Sequence, residues 1–320
     1  MRFRLMLFLL ILPAGAAFSP HVPAAASYAQ ATSQQPAQVG TIRVSANLVQ
    51  VPVSVTDTNG QPVKDLQLAD FVIEENGKAV PIAQLGEPGV TRLEMALVFD
   101  NTGSVFSRFD FEQEAARSFL KTIFRPSDAV AILTILSRPR ILLERTSNLT
   151  EALDGLGQLQ ASGSATAFFD TVILAARMLR KQPDPETRRV QIILSDGEDN
   201  YSELKLSDAL REVQQADSIF YSINPGGQSI RLNTVSLRGQ QAMEALATET
   251  GGAAFLAEKV DELAGIFGRI SAELQAQYLL SYYSPPDPKS DGSFRQISVR
   301  VPKRPALRVR ARQGYYPRKI

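Results

Sequence analysis

Leu97-Val98-Phe99-Asp100-Asn101-Thr102-Gly103-Ser104 is an apolar run that stops at a carboxylate, with two hydroxyls following at two-residue steps. A second apolar run, Val190-Gln191-Ile192-Ile193-Leu194-Ser195, stops at Asp196-Gly197-Glu198-Asp199-Asn200. Two buried strands that each end in an acid bring those acids to one edge of a parallel sheet. In open α/β sheets that carboxyl edge is where ligands bind. Asp100, Thr102, Ser104 and Asp196 offer hard oxygen donors alone, a set suited to Mg²⁺, Mn²⁺ or Ca²⁺ and not to zinc or copper.

Around these two runs the pattern alternates between strands and helices. Leu93–Phe99 reads as a strand, Phe109–Phe124 as a helix stopping before Pro126, and Ala129–Leu136 as a second buried strand. Ile141–Leu143 reads as a short antiparallel edge strand and Ala167–Leu179 as a helix beginning just after Thr166. Beyond the strand Val190–Leu194 come a helix at Leu204–Ala216 and a strand at Ile219–Ile223. A helix at Gln240–Thr250 stops at Gly251-Gly252, a strand follows at Ala253–Leu256, and Val260–Gln275 is the last helix. Strands alternating with helices of this length predict an α/β fold, with a mostly parallel central sheet covered by helices on both faces.

The flanks read as β structure. Val49, Val51, Val53 and Val55 share one strand face, Asn59-Gly60 is a hairpin signal, and Phe71–Lys78 reads as a strand with a tight turn. After Gln277, three alternating stretches follow: Tyr278, Leu280 and Tyr282; Ile297, Val299 and Val301; Leu307, Val309 and Ala311. The early flank is acid-rich and the late one basic, and neither has enough strands to stand alone. The expectation is a small β domain built jointly from residues 41–90 and 277–320, flanking an α/β unit at 91–276.

The N-terminus has a different character. Met1-Arg2-Phe3-Arg4 is a short basic start, Leu5–Leu12 is apolar, and small residues follow, which is the three-part pattern of a secretory signal. Cleavage is expected after Ala29, with Ala17 and Ala26 as other sites and an uncleaved anchor as the competing reading. The apolar run is well short of the ~20 residues that span a bilayer as a helix, so no integral span is expected after cleavage. Residues 30–40 are polar and read as a linker. The implied location is secreted or periplasmic.

Composition narrows the chemistry. The chain has 320 residues, 44% hydrophobic and 21% charged, with 34 basic and 33 acidic side chains. This balance gives no global attraction to nucleic acid. Cys and Trp are absent and His21 is the single histidine, within the expected signal. Ser-His-Asp and Cys-His catalysis and His/Cys zinc sites are therefore excluded from the mature chain. No phosphate-binding Gly-x-x-x-x-Gly-Lys-Ser/Thr loop is present.

Asp100-Asn101-Thr102-Gly103-Ser104, Thr166 within Gly163–Asp170, and Asp196-Gly197 together resemble a von Willebrand factor type A (VWA) domain with a metal-ion-dependent adhesion site. The family motif is Asp-x-Ser-x-Ser after the first strand, a Thr on a later loop, and an Asp-Gly after the fourth strand. Thr102 stands where the family has its first Ser, which keeps the hydroxyl and adds a methyl group. The resemblance covers roughly residues 91–275. Asp70–Gly77 and Gln313–Pro317 in the flanks resemble a bacterial secreted subgroup. The resemblance implies a non-enzymatic module whose Mg²⁺ (or Mn²⁺ or Ca²⁺) is held by Asp100, Thr102, Ser104, Thr166 and Asp196. Its open coordination position would accept an Asp or Glu from a protein partner. Asn101 and Asp170 are expected to support the site from behind, and Asp199 and Asn200 to cap or brace the loop before Leu204.

Competing readings stay open at this point. An Asp after a strand often caps a helix or forms a turn. A Mg²⁺-dependent phosphatase of the haloacid dehalogenase type also places a nucleophilic Asp after a strand. There, however, Thr102 would stand where a carboxylic acid protonates the leaving group. A scaffold with a vestigial metal site is the third reading. Arg308, Arg310 and Arg312 alternate on one strand face, as an anion-binding surface or as a charged edge that blocks sheet pairing. Tyr278, Tyr282, Tyr283, Tyr315 and Tyr316 read as domain-packing residues or as a sugar platform.

Overall fold

The structure, a computed structural model, describes residues 48–101, 109–160, 165–181, 187–226, 234–259, 261–286 and 292–317. The expected signal at 1–29, the linker at 30–40, and Thr102 and Ser104 lie outside the described residues.

The N-terminal flank contributes β1 (Leu48–Thr56), β2 (Val72–Glu75), β3 (Lys78–Val80) and β4 (Ile82–Gly86). β2 and β3 form a hairpin whose turn residues, Asn76 and Gly77, have φ of 50° and 76°. Left-handed φ at both central positions matches the right-handed twist of a two-residue hairpin, which is why Asn-Gly is favoured there. The central region follows with β5 (Arg92–Asp100), α1 (Phe109–Ile123), β6 (Ala129–Ile135), β7 (Arg140–Thr146), α2 (Leu149–Gly157), α3 (Phe168–Arg180) and β8 (Thr187–Leu194). It continues with α4 (Leu206–Gln215), β9 (Ser218–Asn224), α5 (Thr234–Thr250), β10 (Ala254–Leu256) and α6 (Glu262–Ala276). The C-terminal flank holds β11 (Tyr278–Tyr283), β12 (Arg295–Arg300), β13 (Arg308–Ala311) and β14 (Gly314–Tyr315).

The central sheet has the order β10-β9-β8-β5-β6-β7, parallel throughout except for the antiparallel edge strand β7. Alternate residues of each strand feed two separate cores. Leu93, Met95, Leu97 and Phe99 of β5 pack with α1, α2 and α6 on one face. Ala96 and Val98 pack with α3, α4 and α5 on the other. A strand buried on both faces is mostly apolar along its length, and the Leu97–Phe99 run read in the sequence lies in such a strand, with Glu94 its buried exception.

The flanks build two antiparallel sheets, β13-β1-β11-β4 and β14-β12-β2-β3. Their facing sides share a core of Val51, Val53, Ile73, Tyr278, Leu280, Tyr282 and Tyr315. The fold is thus the mixed α/β architecture expected, with added β sheets from both flanks. Asn59-Gly60 makes a tight turn closed by a Thr56–Pro62 bridge, yet β1 does not fold back on β2. Its partners are β11 and β13, more than two hundred residues away.

Three tyrosines of the candidate sugar platform, Tyr278, Tyr282 and Tyr315, are buried in that core, so they cannot stack a sugar from solvent. Of the three arginines, Arg310 pairs with Glu273 of α6 and Arg312 with Asp217 of the α4–β9 turn. Arg310 on the edge strand β13 and Arg312 just after it tie that edge to the α/β unit rather than presenting an open anion-binding face.

Candidate metal centre

β5 lies between β6 and β8, and the chain leaves it toward opposite faces of the sheet. β5 feeds α1 on one face, while β8 feeds α4 on the other. Loops that diverge in this way open a crevice at the carboxyl end of the two neighbouring strands. Phe99 pairs with Leu194 across β5 and β8, so Asp100 at the end of β5 and Ser195 just past β8 lie side by side. The Ser195 hydroxyl donates to Asp100 Oδ2 at 2.7 Å and accepts from the Gly197 amide at 3.0 Å. Asp100 has no solvent exposure. A carboxylate buried to that degree needs strong partners.

Asp196 follows directly. Its Oδ1 accepts from the Glu198 amide at 3.0 Å, an Asx turn that starts the loop. Gly197 then adopts φ of 76°, and a Cβ there would lie 2.6 Å from the carbonyl oxygen of Gly239 in α5. Backbone packs on backbone at this point, and glycine is required twice over, for conformation and for space. Asn224 at the end of β9 donates to the Asp196 carbonyl at 3.4 Å, and Ser236 donates to Glu198.

Thr166 sits on the approach to α3, where the Ala167 amide bonds to the carbonyl of Leu136 just past β6. It is buried. Its amide donates to Asn200 Oδ1 at 2.9 Å, and its carbonyl accepts from the amides of Asn200 and Tyr201. Asp199 Oδ2 accepts from the Phe169 amide at 3.0 Å in the first turn of α3. Its Oδ1 accepts from Tyr201 and Ser202. In return, Asp170 accepts from the amides of Glu203 and Leu204 at 3.0 and 3.1 Å. The Thr166–Asp170 and Asp199–Leu204 segments therefore brace each other reciprocally. The bracing expected of Asp199 and Asn200 is present, Asp170 shares in it, and Asp199 has the further task of capping α3 from another loop. Asn101 is buried and donates to the Gln160 carbonyl at 2.7 Å, which anchors the start of the segment after Asp100.

Asp100, Thr166 and Asp196 thus stand on three segments at one edge of the sheet; Thr102 and Ser104 fall outside the described residues. Among the described residues, no group of three or more Asp, Glu, His or Cys side chains gathers as a metal cluster. The candidate donors read from the sequence are of another kind: two carboxylates with neutral hydroxyls, all oxygen. Such a set fits a hard divalent cation that keeps several waters.

Residues 95–198 match the von Willebrand factor type A domain family. The matched span runs from within β5 to just past the Asp196-Gly197 turn, and so contains all five candidate residues. No curated protein matches the chain. Among solved structures, the chain is similar to a von Willebrand factor type A protein from Catenulispora acidiphila, at 13% identity and TM-score 0.49, covering 80% of this chain and 70% of that one. It is similar to the conserved hypothetical protein BatB from Bacteroides thetaiotaomicron, at 15% identity and TM-score 0.45, over 56% of this chain and 97% of that one. The PilB minor pilin from Streptococcus sanguinis is another such structure, at 13% identity and TM-score 0.46, over 58% of this chain and 62% of that one. Among the described residues, no helix is long and apolar enough to cross a membrane.

Proposed function

We propose that the VWA-type domain is a protein-interaction module that engages its partner through a divalent cation at the carboxyl edge of β5 and β8. The cation, Mg²⁺ or else Mn²⁺ or Ca²⁺, is held by Asp100, Thr102, Ser104, Thr166 and Asp196, and it supplies a positive charge with an exchangeable position for a partner's Asp or Glu. Asp100 contributes a buried charge fixed by Ser195. Asp196 is held at the mouth of the loop by its Asx turn and by Gly197. Thr166 is positioned by Asn200. The module is exported through its N-terminal signal and acts outside the cytoplasm by binding, without catalysis.

The observation that carries this reading is the 2.7 Å bond between Ser195 and Asp100. It brings the two separate acid-ending strands to one point beside Asp196, at the crevice where the chain diverges. The family match over the same residues supports it. No observation favours the phosphatase reading.

The test is calorimetric titration of the purified chain with Mg²⁺ and Mn²⁺, alongside Asp196→Ala. Affinity capture from the native envelope follows, with metal or with chelator. The expected result is a saturable heat that Asp196→Ala removes, and capture that chelator abolishes. No heat with either metal, or capture indifferent to both chelator and Asp196→Ala, overturns the reading.

A further inference from the structure

Two Asn-Gly pairs stand in exposed turns of the flanking β sheets, Asn59-Gly60 after β1 and Asn76-Gly77 between β2 and β3. Such a pair carries a chemistry of its own. Glycine has no Cβ, so its backbone nitrogen can approach the carboxamide carbon of the asparagine before it. In the sequence the two pairs have equal standing, and the structure separates them.

Asn76 is locked. Its Oδ1 accepts from the Gln296 amide at 3.0 Å, and its own amide donates to the Gln296 carbonyl at 2.9 Å. Its φ of 50° belongs to the two-residue hairpin turn, with β12 paired alongside β2. Turning its carboxamide toward the Gly77 nitrogen breaks the bond to β12.

Asn59 is held only by its backbone. Its amide donates to Asp57 Oδ1 at 2.9 Å, while its carboxamide has no hydrogen-bond partner among the described residues. Gly60 is exposed, and nothing lies within 4 Å of the position a Cβ would take there. The Gly60 amide donates to the Asp57 carbonyl at 3.1 Å. That bond lies in a solvent-exposed turn, a class of structure that opens by local fluctuation while the core stays folded.

We propose that Asn59 is a site of spontaneous deamidation and that Asn76 is protected from it. The Gly60 nitrogen gives up its proton to solvent base and attacks Asn59 Cγ. The new N–Cγ bond closes a five-membered succinimide, the Cγ–Nδ2 bond breaks, and ammonia leaves. Water then opens the ring at one of its two carbonyls. One opening leaves an ordinary aspartate at this position, and the other an isoaspartate, whose main chain runs through the former side chain. The sum is one water consumed and one ammonia released, with no cofactor or oxidant.

Either product places a new carboxylate two residues from Asp57. Isoaspartate also lengthens the turn that Asp57 Oδ1 organises through the Asn59 and Gln61 amides. β1 keeps its place because its strand partners are β11 and β13. The chain therefore accumulates more acidic forms without losing its fold.

The experiment holds the full chain at mildly alkaline pH and samples it over weeks by peptide mapping with mass spectrometry. Isoaspartate is read with an isoaspartate-specific methyltransferase, and chain unfolded in guanidinium chloride runs alongside as the reference. In the folded chain Asn59 is expected to convert about tenfold faster than Asn76, or more, because a bond must be broken at Asn76 alone to free the carboxamide. In the unfolded chain the two rates are expected to converge. Asn59→Gln is expected to remove the main acidic form on isoelectric focusing. Asn76 converting as fast as Asn59 in the folded chain overturns the proposal. So does an intact Asn59 over a period in which the unfolded chain converts, or an acidic form undiminished by Asn59→Gln.

Discussion

Ser195, directly after β8, stands beside Asp100 at the end of the neighbouring parallel strand β5, and the serine hydroxyl bonds to the buried aspartate at 2.7 Å while accepting from the amide of Gly197. One small side chain therefore links the first acid of the site to the loop that carries the second. Ser195→Ala removes a hydrogen bond to a charged group, worth about 1.5–3 kcal/mol. Urea denaturation should show a loss of that order. If the proposed cation is held by Asp100, Mg²⁺ affinity should fall by about 10–100-fold, as it does when residues behind metal ligands are removed.

Gly197→Ala tests the close approach of α5. The left-handed φ and the 2.6 Å gap to the Gly239 carbonyl both oppose a methyl group. A strained backbone of this kind costs about 1–3 kcal/mol, and the contact with α5 adds to it. The expected outcome is a lowered denaturation midpoint with native-like circular dichroism. Hydrogen exchange should show faster exchange confined to the loop after β8 and the start of α5.

The reciprocal bracing between the Thr166–Asp170 and Asp199–Leu204 segments predicts non-additivity. Asp199→Ala removes the cap on α3, worth about 1 kcal/mol, and frees two amides of its own loop. Asp170→Ala frees two more. Because both changes loosen the same pair of segments, a double-mutant cycle by chemical denaturation should give a coupling of about 0.5–3 kcal/mol. Asp199→Asn keeps an acceptor oxygen and should lose less than Asp199→Ala.

Asp100 and Asp196 were legible in the sequence because their strands are buried on both faces. A largely apolar run that stops at an acid states both the strand and its carboxyl end. Most of what failed to show there is non-local, with α2 the exception. The nine-residue helix α2 was not anticipated, although Asn148 accepts from Thr150 and Glu151 at its start and the capping sequence was there to be read. β8 begins at Thr187 rather than Val190, because Arg188 and Arg189 look like a solvated loop until carbonyls of Leu274, Thr91 and Leu179 are found to receive them. α5 likewise starts at Thr234, six residues before the periodic apolar pattern becomes clear. Asn59-Gly60 signals a local hairpin, and nothing nearby reveals that the partners of β1 lie at the far end of the chain. The capping of α3 by Asp199 is hidden for the same reason.

Buried tyrosines set an alkaline limit. Burial, and then the Glu273 carboxylate, pushes the Tyr221 pKa well above 10.0. Burial and the hydrogen bond to Glu75 push Tyr282 upward as well. In the unfolded chain both ionise near 10. Below that pH both states keep their protons and the stabilisation is fully present. Above it the unfolded chain releases protons that the folded chain holds, so stability falls, by up to about 1.4 kcal/mol per pH unit for each tyrosine. Tyrosinate absorbance should therefore show a late step that coincides with loss of circular dichroism. Tyr282→Phe should make the fall with pH shallower.

Glu273 joins the flanking sheets to the α/β unit. It is buried on α6 and accepts from Tyr221 of β9 at 2.6 Å, from Ser54 of β1 at 2.8 Å, and from Arg310 of β13. Arg310 in turn donates to the Gly252 carbonyl at 2.7 Å. Removing one member of a buried ion pair strands the other, at about 3–5 kcal/mol. Glu273→Ala should approach that figure by chemical denaturation, because it orphans Tyr221 and Ser54 as well as Arg310. Replacing both partners, Glu273→Leu with Arg310→Met, leaves no unpaired charge and should recover a large part of the loss. The pair also predicts where the damage appears. Limited proteolysis of Glu273→Ala should open first in β1 and β13, the strands whose side chains reach α6, while the β2–β3 hairpin, held by β12, stays resistant for longer. Cleavage that begins in the hairpin would show that the clamp lies elsewhere.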